Sequence, residues 1–216
     1  MTMPPFLRLL CVLCASLLLA PAHAADTADV ALQRFVDGVQ TLSARFEQVQ
    51  TDEDGEPLAR HAGSFELQRP GRFRWAYEQP YEQLMICDGE RIWNYEPDLA
   101  QVTVRDAADV LRGTPAALLA QGARALGENF VIESGGRDQG ADLVRLKPKS
   151  DDADFRAIEL WLANGIPQRM RFLDALGGTS DIRFSAIRTG IQLAPERFRF
   201  QPPKGVEIID ANGTTP

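Results

Sequence analysis

Histidine, cysteine and suitably spaced acids are the residues that could do chemistry here, and the chain is poor in the first two. Its 216 residues contain two histidines and three cysteines. Cys11, Cys14 and His23 fall in the first two dozen residues, which leaves His61 and Cys87 for the rest. A zinc site takes three or four such ligands, so no metal is expected. A Ser/His/acid or Cys/His nucleophile would have to run through His61, in the turn-like stretch Leu58-Ala59-Arg60-His61-Ala62-Gly63, and the chain has no G-x-S-x-G elbow. That histidine reads as a surface residue. Cys87 lies in the apolar run Leu84-Met85-Ile86-Cys87 and reads as a small buried hydrophobe. Neither a P-loop nor a G-x-G-x-x-G after a strand occurs, so no nucleotide cofactor is expected. Paired carboxylates of the glycosidase kind stay open, although the acids gather in turn-like stretches such as Asp52-Glu53-Asp54-Gly55 and Asp151-Asp152-Ala153-Asp154.

Charge excludes another class. There are 23 Lys and Arg against 30 Asp and Glu, a net charge of −7, whereas nucleic-acid binding rests on clustered Lys and Arg. No nucleic acid partner is expected. The first 24 residues have the form of a secretory signal: Arg8, an apolar run over 9–20, then Ala22-His23-Ala24 as an A-x-A cleavage site. Pro21 ends that run short of the roughly 18 apolar residues that a membrane span needs. Leu10 and Leu13 precede Cys11 and Cys14, where an acylated cysteine would need a small residue before it. Cleavage after Ala24 removes one Arg and no acid, taking the net charge from −7 to −8, and leaves a single thiol. An exported chain with one thiol has no internal disulfide, so its stability must come from its core.

The elements that position these residues have two periods. Leu32, Phe35, Val36 and Val39 fall at i, i+3, i+4 and i+7, a helical stripe with Thr27 or Asp29 as its N-cap. Beyond it the period becomes two. Phe65 and Leu67 share one face over 64–68, and Phe73, Trp75 and Tyr77 share one face with Arg74 opposite. Residues 85–87 and 91–93 flank Asp88-Gly89, which reads as a type I′ hairpin. Further strands are expected over 101–104, 129–133, 143–147, 155–162, 168–173, 182–187 and 197–200, with turns at Ser134-Gly135-Gly136, Asn164-Gly165 and Gly177-Gly178. One short apolar helix interrupts them, with Thr114 as N-cap, Pro115 at its first position, Leu118 and Leu119 inside it and Gly122 past its end. The sum is an antiparallel meander curling toward a barrel. With no repeat or linker, residues 25–216 read as a single domain.

A curled sheet has a concave face to fill, and the candidates here are two short helices. If they only cap it, an apolar cavity remains, of the kind that holds apolar ligands. If side chains fill it, the aromatic strand face is plain core. The residues by themselves leave both readings open.

The run Phe65-Glu66-Leu67-Gln68-Arg69-Pro70-Gly71-Arg72-Phe73-Arg74-Trp75-Ala76-Tyr77-Glu78-Gln79-Pro80 resembles the signature strand pair of the periplasmic outer-membrane lipoprotein carrier family, LolA. The likeness continues through Ile92-Trp93-Asn94-Tyr95, Thr114-Pro115-Ala116-Ala117-Leu118-Leu119 and Pro195-Glu196-Arg197-Phe198-Arg199-Phe200 in the same order, although Gly177-Gly178 stands where many members carry Gly-Gln. The resemblance implies a mainly β fold, an incomplete antiparallel β-barrel whose curved sheet is covered by short α-helices enclosing a hydrophobic cavity. It implies a periplasmic chaperone without catalysis, metal or cofactor. Such a monomer takes acylated lipoproteins from an ATP-driven releasing complex in the inner membrane and delivers them to an outer-membrane lipoprotein receptor. By the same resemblance Phe73, Trp75, Tyr77, Met85, Leu118 and Leu119 line the ligand site, and Arg69 is a latch bonded to the lid helix over 114–120. Two alternatives stand beside it: a carrier or sensor of another lipid on the same fold, and a carboxylate-dependent periplasmic hydrolase with two acids facing each other in a polar cleft.

Overall fold

The structure, a computed structural model, describes residues 24–107, 115–150, 153 and 155–211. The signal segment up to His23, the cap residue Thr114 and the acids Asp151, Asp152 and Asp154 lie outside the described residues. Helix α1 (Ala24–Gly38) comes first, and its stripe of Ala28, Ala31, Leu32, Phe35 and Val36 is buried. Positions 27 and 29, expected to cap it, lie inside it, because the helix runs back to Ala24.

The strands are β1 (Thr41–Thr51), β2 (Pro57–Gln68), β3 (Arg72–Gln79), β4 (Gln83–Asp88), β5 (Arg91–Glu96), β6 (Gln101–Asp106), β7 (Phe130–Asp138), β8 (Ala141–Pro148), β9 (Phe155–Ala163), β10 (Ile166–Asp174), β11 (Thr179–Thr189) and β12 (Glu207–Asp210). They form one sheet in the order β12-β6-β5-β4-β3-β2-β1-β11-β10-β9-β8-β7. Every neighbouring pair is antiparallel except β12 with β6. Two short helices, α2 (Pro115–Ala120) and α3 (Ala123–Asn129), stand between β6 and β7. Pro115 opens α2, as its missing N–H allows. Helix α1 packs on β7, β8 and β9, while α2 packs on β2 and β3.

Several local expectations are corrected. Residues 197–200 are not a strand: Pro195–Phe198 is a 3-10 turn that drives Phe198 into the protein at 1% exposure. Ser134-Gly135-Gly136 is no turn but a break in register inside β7, and the reversal falls at Gln139-Gly140, where φ is +48° and +84°. Asp88 belongs to β4, and only Gly89 of the hairpin has positive φ (+108°), the pattern of a type II′ turn. The Asp88 carboxylate accepts from the backbone N–H groups of Glu90 and Arg91 at 2.9 and 2.8 Å, which ties the turn shut. Strand β1, helix α3 and strand β12 are additions. In β1 the inward positions alternate Leu42, Ala44, Phe46, Gln48, so a buried glutamine breaks the apolar pattern.

Residues paired across strands share a face, so the registers sort the sheet into two surfaces. On the outer surface of β3 to β6, Ala76, Ile86, Val102 and Val104 are buried, the turn that carries Phe198 packs on β3 and β4, and Trp93 and Tyr95 meet Phe200 at ring distances of 5.8 and 5.6 Å. The chain after β11 is thus a strap across that side, pinned where Arg197 Nε donates to Glu66 at 2.5 Å. On the outer surface of β8 to β11, Glu159 accepts from both Arg145 and Arg171, and Arg169 donates to Asp181. Both Arg169 and Arg171 lie over the Trp161 ring, with their guanidinium carbons 4.4 and 5.6 Å from its centre.

Candidate ligand-binding face

The inner surface is built in rows that cross the sheet. The row Ile92–Cys87–Phe73–Leu67–Leu42 is apolar throughout, and each member is at most 3% exposed. The next runs Thr103–Asn94–Met85–Trp75–Phe65–Ala44, the third Gln83–Tyr77–Gly63–Phe46–Phe184. Rings meet across these rows: Phe46 and Trp75 at 4.4 Å, Phe65 and Trp75 at 4.9 Å, Phe46 and Tyr77 at 5.3 Å. Such tilted and edge-on pairs add about 0.5–1.5 kcal/mol each beyond area burial. Gly63 has no side chain to hold β2 and β3 apart. A Cβ there would strike the Ala76 carbonyl oxygen and come within 2.9 Å of Phe46 Cε1.

Leu118 and Leu119 of α2 are 3% and 0% exposed and belong to the same core. Arg69, just past the end of β2, joins that helix to α1. Its Nη1 donates to the Gln121 carbonyl beyond α2, and its Nε donates to the Val39 carbonyl beyond α1 at 3.0 Å. The guanidinium lies 4.8 Å over the Phe35 ring. Burial pushes its pKa down to about 10 against the pull of Asp37, so the group is charged at neutral pH. Its Nη2 is buried without an acceptor, a donor whose desolvation is uncompensated.

One edge of the inner surface is polar. The Tyr77 hydroxyl donates to Gln48 Oε1 at 3.0 Å, and His61, the cross-strand partner of Gln48, stands edge-on to Tyr77 at 5.5 Å. His61 is therefore half-buried in β2, not a surface turn residue. Burial pushes the Tyr77 phenol up to about 12, slightly opposed by the nearby Trp75 indole, whose N–H falls outside hydrogen-bond geometry. Cys87 is fully buried, with its thiol pushed up to about 11 by burial, and so is a poor nucleophile.

Of the expected site residues, Phe73, Trp75, Leu118 and Leu119 are buried together, while Tyr77 and Met85 are half-buried and packed on the same core. Phe46, Gln48, Phe184 and Asn94 join them unannounced. The period-two alternation of β1 carried the first two, but it was legible only once that strand was recognised. A groove of about 500 Å³ where β1, β2 and β11 run together is lined by Arg45, Glu66 and Arg188 beside Ala44, Phe65 and Ile187.

Residues 37–201 match the family described as outer membrane lipoprotein carrier protein LolA. The chain belongs to the LolA family. An outer-membrane lipoprotein carrier protein of Methylococcus capsulatus is 40% identical over 189 residues, 88% of this chain and 90% of that one. Its counterpart in Alkalilimnicola ehrlichii is 39% identical over 207 residues, 94% of each chain. Among solved structures, an uncharacterized conserved protein from Thermus thermophilus has a TM-score of 0.56 at 16% identity, over 85% of this chain and 99% of that one. A LolA superfamily protein from Nitrosomonas europaea has a TM-score of 0.50 at 13% identity, over 83% and 99%. At those identities the likeness speaks for the LolA fold alone.

Proposed function

We propose that this protein is a lipoprotein carrier that shelters the acyl chains of lipoproteins on the inner face of its sheet. It collects cargo from an ATP-driven releasing complex in the inner membrane and delivers it to an outer-membrane receptor. It works as a monomer in the periplasm, after cleavage behind Ala24, and needs neither catalysis nor cofactor. The observation that carries this reading is the lidded aromatic face, where Phe73, Trp75, Leu118 and Leu119 form one apolar body whose cover is a six-residue helix. Each CH₂ of an acyl chain left in water costs about 0.8 kcal/mol, so a long chain cannot cross an aqueous compartment without such a face. Relatives near 40% identity that are named carriers favour this reading over the hydrolase. In it Phe73, Trp75, Tyr77, Met85, Leu118 and Leu119 contact acyl chains, and Arg69 is the latch. Charge-assisted bonds of about 1.5–3 kcal/mol each hold a lid that cargo can still displace.

Native mass spectrometry of the protein purified from periplasm tests the reading. The expected result is co-purified triacylated lipoprotein on a chain that begins at Ala25. A different lipid would establish the carrier or sensor of another cargo, and retention of residues 1–24 would refute the cleavage site.

A further inference from the structure

The inner rows are not uniform along their length. The row beside Arg69 is apolar from Ile92 to Leu42 and meets the exposed Arg105 on β6, while the second begins with Thr103 and Asn94, the third with Gln83 and Tyr77, and the next pairs His61 with Gln48. These starting residues lie on neighbouring strands from β6 through β1, so they make a continuous polar margin. The margin runs obliquely, away from the corner that Arg69 and α2 close. Part of it is already satisfied internally, through Tyr77 and Gln48 and through Gln83 Nε2, which donates to Asn94 Oδ1 at 2.9 Å. That second bond uses the Asn94 oxygen and leaves its Nδ2 without a protein acceptor among the described residues, beside Thr103, whose hydroxyl has none either.

An acylated cysteine carries an amide and two ester carbonyls where its chains meet. Each of those acceptors, placed unpaired on an apolar face, loses its hydrogen bonds to water without replacement. From β5 to β1 the Phe73 row offers no polar side chain, and the half-buried margin offers donors. We propose that the half-buried margin at Thr103 and Asn94 receives the carbonyl-bearing head of the acylated ligand, so that its chains run from there across the aromatic rows toward the corner closed by Arg69. This rests on the carrier reading and adds the orientation of the cargo.

The test compares two probes on the full mature chain by fluorescence titration: a synthetic tripalmitoylated cysteinyl peptide, and N-phenyl-1-naphthylamine, an apolar dye with neither amide nor ester. The double variant Asn94→Leu with Thr103→Val should bind the lipopeptide about tenfold more weakly, the size expected for two neutral hydrogen bonds, and the dye within twofold of wild type. Asn94→Asp, which keeps the size and the acceptor for Gln83 but replaces the donor by a charged oxygen, should weaken the lipopeptide at least as much with the dye again within twofold, and guards against a folding defect. Unchanged lipopeptide affinity in both variants, or equal weakening of both probes, overturns the orientation and leaves the carrier reading standing. Failure of the wild type to bind the lipopeptide overturns the carrier reading and the orientation together.

Discussion

Phe73 on the inner face and Phe198 on the outer face are equally buried, at 0% and 1% exposure, but they are covered by different things. The strand of Phe73 is covered by a six-residue helix, which is tied to α1 by a single arginine that bonds two backbone carbonyls. Phe198 belongs to its own cover, the strap that leads from β11 to β12, which is held by the Arg197–Glu66 ion pair and by Phe200 against Trp93 and Tyr95. Further along the outer face, Arg145, Glu159 and Arg171 form a cross-strand ladder whose members belong to the strands themselves. Equal burial therefore does not mean equal permanence. An apolar surface can serve a ligand only where its cover can leave without unfolding the sheet, and in the carrier reading proposed above α2 is the cover that leaves and the strap the one that stays.

The sharpest way to break this comparison is to damage both faces alike. Truncating Phe73 or Phe198 to alanine should lower stability by a similar amount, about 3–5 kcal/mol, read from urea unfolding. Only the inner change should also weaken lipopeptide binding. Phe73→Glu should go further and abolish loading, because an acyl chain would have to lie against a carboxylate. Equal loss of binding from Phe198→Ala would erase the distinction between the faces.

The proposed latch, Arg69, is next in size. Arg69→Leu should still accept cargo but hand it on at least tenfold more slowly in a transfer assay with a purified receptor, since losing the closed state's bonds leaves the open, loaded state too stable. Transfer at the wild-type rate would remove Arg69 from the mechanism.

The ladder supplies the smallest effect. Burial raises the Glu159 pKa, but hydrogen bonds from Arg145 and Arg171 outweigh it and hold the group below its ordinary value of 4.5. A carboxylate with a depressed folded pKa contributes stability above its unfolded pKa and loses it as pH falls through the folded one. Glu159→Gln should therefore flatten the acid limb of the stability profile below about pH 4.5 and leave ligand binding untouched. With Arg145 and Arg171 side chains 35% and 40% exposed, the loss at neutral pH should stay below about 1 kcal/mol. A change in ligand affinity would mean that the two faces are coupled.

Local chemistry was readable from the chain wherever it repeats over short distances. Phe73, Trp75 and Tyr77 share a face because strand side chains alternate, Pro115 opens a helix because it lacks an N–H, and Asn164-Gly165 turns a hairpin with φ of +52° and +79°. The scarcity of histidine and cysteine likewise limited the chemistry before any fold was considered. What the chain could not display was whatever depends on register between distant segments. The buried Gln48 hid β1, since a glutamine is tolerated inside because Tyr77, 29 residues later, donates to it and Ser180, on β11, accepts from it. His61 looked like a loop residue until its strand paired with β1, and Pro195 turned an apparent strand into the strap. The polar margin is the extreme case: Thr103, Asn94, Gln83 and Gln48 lie on separate strands, and only the hydrogen-bonded order of the sheet sets them along one line.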